Sequence, residues 1–284
     1  MTTIFDAIKT IAVSVDALIK EGELGYSAHT NATGDAQLKM DVASDQVIES
    51  SLRALAHVRA IISEEKDAVM VLDDQAPYTI CYDPLDGSSI VDANFSVGSI
   101  FGIYEGEPSG PTLVASVYVL YGCHIELVSV LRGEQPIRYR FVHGTWRPID
   151  QAFRLNPKGR HVAPGGTQQY WPAYHKAYID DLFAQGYRLR YSGGMVPDLH
   201  HLLVKGGGIF SYPSTTDLPD GKLRILFEVL PFALIFEAAG GQAIDDHGRR
   251  LLEIRPRHPH DTTPCFFGSD AEINGLKAAY GVAR

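Results

Sequence analysis

The sequence TICYDPLDGSS, residues 79–89, joins an apolar stretch to a turn that is rich in acids and hydroxyls. The apolar residues before Asp83 predict a short buried strand, and Pro84 fixes φ and is expected to direct the chain off the strand end. The carboxylates of Asp83 and Asp86 can then point toward the same place. Gly87 allows a tight backbone, and the amides and hydroxyls of the two serines after it can bind an anion.

Acidic side chains beside an anion-binding turn predict a divalent-cation site. Carboxylates alone would repel a phosphate, whereas Mg²⁺ takes oxygen ligands and is commonly shared between protein carboxylates and a substrate phosphate. Two such ions can hold an attacking water and a leaving oxygen. The Asp-x-x-Asp-Gly pattern is also common in ordinary solvated turns, so both interpretations stay open on residues 83–87 alone.

Acids elsewhere in the chain favour the cation site. Glu64 and Glu65 follow the apolar stretch Val58–Ile62, and Glu228 lies within the apolar sequence LRILFEVLPFALIF, residues 223–236. A lone buried carboxylate is costly unless a cation or hydrogen bonds compensate it. We therefore expect Glu228 to be a ligand rather than an exposed helix residue.

Composition restricts the class of protein. The 284 residues include 34 acidic and 25 basic side chains, and the resulting net charge of −9 argues against broad contact with nucleic acid. No apolar run approaches the about 20 residues of a membrane span, and the amphipathic pattern at residues 4–19 predicts a helix rather than a signal peptide. Three isolated cysteines, Cys81, Cys123 and Cys265, fit a reducing cytoplasm.

Helical and extended patterns alternate along the chain. Helices are predicted at 4–19, 36–56, 174–185, 197–205, 223–239 and 269–280, and strands at 58–62, 78–82, 99–104, 112–122, 125–131, 187–191 and 208–212. The irregular, proline-containing stretch near 145–160 predicts a boundary between two subdomains, residues 1–150 with the acidic turn and residues 151–284. Helices and strands in both halves predict an α/β or layered α+β class.

Five segments together resemble class I fructose-1,6-bisphosphatase and its relative sedoheptulose-1,7-bisphosphatase. In order they are GDAQLKMD (34–41), SEE (63–65), DPLDGSSIVDANFSVGSIFGIY (83–104), RYSGGMVPD (190–198) and KLRILFEVLPF (222–232). The resemblance implies an α+β fold with layers in the order α-β-α-β-α and two subdomains. It also implies hydrolysis of the 1-phosphate of fructose 1,6-bisphosphate, in gluconeogenesis or related sugar-phosphate metabolism, with two or more Mg²⁺ or Mn²⁺ ions per subunit.

The same resemblance implies a role for each matched residue. The metal ligands would be Glu64, Glu65, Asp83, the carbonyl of Leu85, Asp86 and Glu228. The acids near the attacking water would be Asp35, Asp41 and Glu65, although Asp35 and Asp41 taken alone also fit a helix cap and an exposed acid. The substrate contacts would be Gly87, Ser88 and Ser89 at the scissile phosphate, Arg190, Tyr191 and Tyr212 at the distal phosphate, and Gly193, Met195 and Lys222 at the sugar. Arg190 would reach in from a neighbouring subunit, which implies a homodimer or homotetramer.

Departures from the family pattern leave alternatives open. Gly194 resembles the sedoheptulose branch, because fructose enzymes usually have Ser there, so sedoheptulose 1,7-bisphosphate is an alternative or second substrate. The Asn that helps to hold the distal phosphate is missing from Ala163–Gly166. Pro77 and Glu105 occupy the positions of a Lys and an Arg that bind AMP in the family, so we expect no AMP inhibition through that site.

Two further hypotheses come from other functional classes. One is another phosphatase of the inositol-phosphatase clan, and the other is a non-catalytic sensor of sugar phosphates. A sensor would be expected to lack metal ligands, whereas every acidic ligand position is filled in this chain.

Overall fold

A computed structural model describes residues 1–21, 26–30, 36–150 and 153–282. Within those ranges the α-helices are α1 (Thr2–Glu21), α2 (Lys39–Arg53), α3 (Ala173–Ala184), α4 (Met195–Val204), α5 (Leu230–Ala238) and α6 (Asp270–Ala279). None of these described helices is both long and apolar enough to cross a membrane.

The strands form three sheets in the described part of the chain. An antiparallel pair consists of β1 (Tyr26–Thr30) and β2 (Ala36–Leu38). The eight-stranded sheet contains β3 (Val58–Ser63), β4 (Met70–Val71), β5 (Tyr78–Asp86), β6 (Val97–Glu105), β7 (Leu113–Tyr121), β8 (Ile125–Leu131), β9 (Ile137–Val142) and β10 (Thr145–Asp150), in the order β10-β9-β8-β7-β6-β5-β3-β4. The five-stranded sheet contains β11 (His161–Pro164), β12 (Arg188–Leu189), β13 (Gly208–Tyr212), β14 (Gln242–Ile244) and β15 (Cys265–Gly268), in the order β12-β11-β13-β15-β14.

The helices and the two larger sheets form five layers, with three apolar cores packed between them. Helices α1 and α2 cover one face of the eight-stranded sheet, where Ile8 and Ile48 are fully buried against its strands. The opposite face packs on α4 and α5, which also contact the five-stranded sheet through residues such as Phe236. Helices α3 and α6 cover the outer face of that second sheet. The order is α-β-α-β-α, which confirms the predicted fold.

The division into residues 1–150 and 151–284 stays a prediction. The change from one sheet to the other falls between Asp150, the last residue of β10, and His161, the first residue of β11.

The parallel pairing of β3 with β5 brings two acidic segments together. Ser63 lies opposite Tyr82 in this register, and the amide of Glu64 donates a hydrogen bond to the carbonyl of Tyr82 at 3.0 Å. Parallel neighbouring strands end at the same edge of a sheet. The acids that follow β3 therefore lie beside Asp83 on β5.

The predicted end of the second strand is wrong. The strand does not stop before Asp83 but continues as β5 to Asp86. Its pairing with β6 shifts register between those two residues, and the Ser99 hydroxyl donates to the carbonyl of Pro84 at 2.7 Å. A register shift accommodates Pro84, because proline has no N–H for the ladder.

Two predicted helices differ from the structure. Helix α2 begins at Lys39 rather than at residue 36, since β2 occupies the preceding residues. The predicted helix at 223–239 is divided into a π-helical turn, Ile225–Val229, followed by α5. Pro231 lies in the first turn of α5, where an N–H is not needed. Apolar periodicity cannot distinguish a π turn from an α turn, and π turns often lie at functional sites.

Candidate active site

A polar pocket of about 300 Å³ collects side chains from both halves of the chain. The predicted site residues that line it are Asp41, Glu64, Glu65, Asp83, Leu85, Asp86, Gly87, Ser88, Ser89, Tyr191, Gly193, Met195, Tyr212, Lys222 and Glu228. Arg190 lines a neighbouring cavity of about 420 Å³, which shares Tyr191 with this pocket. Asp35 lies outside the described residues.

Three carboxylates meet at the centre of this pocket. Oxygens of Asp83, Asp86 and Glu228 all lie within 4.8 Å of one another, and none of the three residues is more than 7% exposed. Burial raises the pKa of Asp86 to about 7 and that of Glu228 to about 8, with repulsion from Glu64 adding to both. Burial, and then repulsion from Glu64, also raises the pKa of Asp83. Acids this close and this buried require a cation or protons to stabilise them.

The start of α4 holds Asp86 in place. The amides of Met195 and Val196 donate to its two carboxylate oxygens at 3.0 Å and 2.6 Å. The first N–H groups of a helix have no partner within the helix, so they are suited to bind a carboxylate. This contact fixes the RYSGGMVPD segment against the DPLDGSS segment.

Arg224 was missed by the sequence analysis. Its side chain is 14% exposed, and its guanidinium pairs with the Glu64 carboxylate. Its backbone amide donates to Glu228 at 2.6 Å, four residues later in the chain. The sequence offered one signal for Arg224, which is a cation four residues before an acid in an apolar stretch. It offered no signal for the contact with Glu64. Arg224 therefore orients two of the predicted metal ligands.

Two glycine-containing loops approach closely at the edge of the pocket. Gly87 has a φ of 81°, and a Cβ there would lie 3.2 Å from the Cα of Gly194. Ser88 and Ser89 follow in a short helical turn that ends at Ile90. The left-handed conformation and the close approach explain why glycine occupies position 87.

Asp198 is a second residue whose role was missed. It accepts hydrogen bonds from the amides of Ser192 and Gly193 at 2.7 Å and 3.3 Å. Burial raises its pKa to about 6. Its position within the RYSGGMVPD motif was the only signal in the sequence. The residue shapes the loop that presents Gly193 to the pocket.

The donor set fits a hard divalent cation. The pocket lining contains seven acids and only two cations, Lys222 and Arg224, and its described residues include neither His nor Cys. Oxygen-only sites suit Mg²⁺, Ca²⁺ or Mn²⁺ rather than zinc. The raised pKa values of Asp86 and Glu228 show that the protein alone does not compensate their charges.

Comparison with known families now identifies the chain. The family model described as the N-terminal domain of fructose-1-6-bisphosphatase matches residues 1–146, and the model of the C-terminal domain matches residues 155–281. The chain belongs to the fructose-1,6-bisphosphatase family. Members of this family are metal-dependent, and the cluster of Asp83, Asp86 and Glu228 is a possible metal site.

Individual members of the fructose-1,6-bisphosphatase family are similar along the whole chain. A class 1 fructose-1,6-bisphosphatase of Helicobacter hepaticus is 50% identical over 281 residues, which cover 99% of both chains. That of Campylobacter curvus is 49% identical over 282 residues, 99% of this chain and 94% of the relative.

Solved structures give the same result for the fold. The holo form of Leishmania major fructose-1,6-bisphosphatase has a TM-score of 0.93 at 32% identity and covers 99% of this chain and 94% of that one. A putative sedoheptulose-1,7-bisphosphatase of Toxoplasma gondii has a TM-score of 0.90 at 27% identity, with the same coverage of both chains. The family recognition and the layered fold predicted from the sequence are confirmed.

Proposed function

We propose that the chain hydrolyses the 1-phosphate of fructose 1,6-bisphosphate to give fructose 6-phosphate and inorganic phosphate. The reaction belongs to gluconeogenesis and related sugar-phosphate metabolism. The observation that carries the proposal is the meeting of Asp83, Asp86 and Glu228 in one buried pocket of a fructose-1,6-bisphosphatase fold. A cytoplasmic location is part of the proposal, because all three cysteines are free.

Mg²⁺ or Mn²⁺, with two or more ions per subunit, is the proposed cofactor. The proposed ligands are Glu64, Glu65, Asp83, the carbonyl of Leu85, Asp86 and Glu228. Bound divalent cations supply charge neutralisation for the phosphate and lower the pKa of water. The protein's own contribution is to hold the carboxylates in place through the contacts of α4 and Arg224 described above.

The remaining pocket residues position the phosphate and the attacking water. The hydroxyls and amides of Ser88 and Ser89, after the tight turn at Gly87, donate hydrogen bonds to the 1-phosphate. Water attacks phosphorus as the bond from phosphorus to the C1 oxygen breaks, and the C1 oxygen leaves as an alcohol after taking a proton from solvent water. Asp41 and Glu65 line the same pocket and accept the proton of the water. Asp35 is proposed to assist them.

The other end of the substrate lies against the second half of the chain. Tyr191, Tyr212 and Lys222 provide hydroxyls and a cation for the distal phosphate and the sugar, together with Gly193 and Met195. These contacts, with a basic group near the pocket, favour a bisphosphorylated sugar over the inositol phosphates.

Arg190 is proposed to serve the pocket of a neighbouring subunit. Arg190 is exposed and is not among the residues that line the pocket of its own chain, which supports this assignment. An arginine suits a phosphate because its planar guanidinium can donate two parallel hydrogen bonds. A homodimer or homotetramer is therefore part of the proposal.

Sedoheptulose 1,7-bisphosphate is the second candidate substrate. Gly194 lines the pocket, and a Cβ at this position would lie 3.5 Å from a carboxylate oxygen of Asp86 and 3.0 Å from Pro197. The backbone at Gly194 is therefore closely packed against Pro197 and Asp86, and the support for the seven-carbon sugar is the resemblance of Gly194 to the sedoheptulose branch.

Phosphate release from purified protein tests the proposal. We expect Mg²⁺-dependent release from fructose 1,6-bisphosphate, loss of release after chelation, and much slower release from inositol monophosphate. Specificity constants for the six- and seven-carbon bisphosphates decide between the two sugars. Calorimetric binding of a sugar bisphosphate without any phosphate release would instead favour the non-catalytic sensor.

A further inference from the structure

Asp45 is a buried acid of α2 that the proposed reaction does not use. The residue is only 2% exposed and lies one helical turn after Asp41. Its Oδ1 accepts hydrogen bonds from the hydroxyls of Ser63 and Tyr82, at 2.6 Å and 2.8 Å. Its Oδ2 lies 2.5 Å from the Nζ of Lys66. Three donors from two strands and a turn therefore converge on one carboxylate.

Two of these donors belong to the turn that carries Glu64 and Glu65. The Ser63 hydroxyl accepts a hydrogen bond from the amide of Glu65 at 3.2 Å while it donates to Asp45. The amide of Lys66 donates to the carbonyl of Ser63 at 3.3 Å, which closes the turn. Asp45 thus contacts the residue before and the residue after the two proposed metal ligands.

Helix α2 contacts this turn through two residues that are four positions apart. Glu49, four residues after Asp45, also pairs with the ammonium of Lys66. In the other direction along the helix, Asp41 lines the pocket. Rotation or sliding of α2 would therefore move Asp41 relative to Glu65.

We propose that Asp45 is a positioning residue that, through Ser63, sets the orientation of Glu64 and Glu65 in the pocket. The inference rests on the proposed metal-dependent function. Groups that orient metal ligands typically contribute about 10- to 100-fold in metal affinity. A network that only holds α2 on the sheet would instead affect folding and leave metal affinity unchanged.

Tyr82 provides a matched control for Ser63. Both hydroxyls donate to the same oxygen of Asp45, so Ser63→Ala and Tyr82→Phe each remove one donor from it. Only the Ser63 hydroxyl also contacts the amide of Glu65. The backbone bond from Glu64 to the Tyr82 carbonyl is kept in Tyr82→Phe.

Calorimetric titration of the metal-free protein with Mn²⁺, without substrate, measures the effect. We expect Ser63→Ala to weaken Mn²⁺ binding by about 10-fold or more, and Tyr82→Phe to change it by less than about threefold. Thermal unfolding of the two metal-free variants should shift to a similar extent. Equal Mn²⁺ affinities in both variants would overturn the proposal.

Asp45→Asn tests the same role from the other side of the hydrogen bond. Asp245→Asn is its control, because Asp245 is 1% exposed, pairs with Arg249 at 2.7 Å and also accepts two backbone amides. We expect Asp45→Asn to lower Mn²⁺ affinity and kcat, with the KM for fructose 1,6-bisphosphate changed by less than about twofold. Asp245→Asn should lower the unfolding temperature without changing Mn²⁺ affinity.

The two proposals fail in different ways. If the unsubstituted protein binds Mn²⁺ but releases no phosphate from either sugar bisphosphate, the proposed function is wrong, and the Mn²⁺ titrations still decide the role of Asp45. If the protein is active and Ser63→Ala and Asp45→Asn both bind Mn²⁺ normally, only the positioning role is wrong. Should Asp45→Asn not fold, the pair Ser63→Ala and Tyr82→Phe decides alone.

Discussion

Without divalent cations, the folded protein should lose stability as the pH rises. Burial raises the pKa of Glu228 from 4.5 to about 8 and that of Asp86 from 3.8 to about 7. Below about pH 3 these acids are protonated in both the folded and the unfolded chain, so they do not affect the free energy of unfolding. As the pH rises, the unfolded chain ionises first while the folded chain keeps its protons. The free energy of unfolding therefore falls up to about pH 8.

The size of this loss follows from the shifted pKa values. A rise from 4.5 to about 8 for Glu228 corresponds to about 5 kcal/mol. Because Glu228 and Asp86 repel each other, we assign on the order of 5 kcal/mol to the two acids together. At about 2–4 °C for each kcal/mol, and with part of the loss already complete at pH 5, the unfolding temperature of the chelated protein should fall by about 10 °C between about pH 5 and pH 9.

Thermal unfolding across this pH range, in EDTA and in saturating Mg²⁺, measures the effect. Glu228→Gln removes the charge but keeps an oxygen for the amide of Arg224, so its stability in EDTA should fall less steeply with pH than that of the unsubstituted protein. Mg²⁺ should stabilise the unsubstituted protein more as the pH rises, since it binds the deprotonated acids. Equal pH slopes in EDTA for the unsubstituted protein and Glu228→Gln would show that Glu228 does not cause this pH dependence.

Three substitutions and one inhibitor assay test catalysis, assembly, stability and regulation separately. Asp86→Asn should abolish phosphate release while the circular dichroism spectrum stays unchanged, and near-normal turnover would contradict the proposed site. Arg190→Ala should raise the KM for fructose 1,6-bisphosphate. In oligomers mixed from Arg190→Ala and Asp86→Asn subunits, a pocket with intact Asp86 should receive Arg190 from its neighbour and recover a low KM. A KM that stays high would exclude a shared pocket. Glu126 is a buried residue of β8 that accepts hydrogen bonds from Arg138 at 2.7 Å and 3.1 Å. Glu126→Gln should therefore lower the free energy of unfolding in urea by about 3–5 kcal/mol. A change below about 1 kcal/mol would show that the pair contributes little. AMP should leave the rate unchanged, because the exposed Glu105 would repel its phosphate, and potent AMP inhibition would contradict this expectation.

The sequence was most informative where a chemical pattern and an apolar pattern coincided. Glu228 was recognised as a ligand candidate because no polar face surrounds it, and its carboxylate indeed lies with those of Asp83 and Asp86. Strands β6 to β8 and helix α1 follow clear alternation or helical periodicity, and their bounds differ from the predicted ones by no more than two residues. Local pattern and tertiary burial agree in these elements.

The predictions failed where long-range contacts decide the local structure. The continuation of β5 through Pro84 depends on its pairing with β6, which lies later in the chain. The contact of Arg224 with Glu64 joins residues 160 positions apart, so no local pattern could reveal it. No local pattern distinguishes Asp45 from the other polar residues of α2, and only the packing of that helix on β3 and β5 brings its partners together.

Crystals of the protein grown with Mn²⁺ and measured at the manganese absorption edge will show whether the three central carboxylates hold cations. We expect anomalous-scattering peaks between the carboxylates of Asp83, Asp86 and Glu228, with a further ion held by Glu64 and Glu65. A well-ordered pocket without any anomalous peak at saturating Mn²⁺ would contradict the proposed metal site.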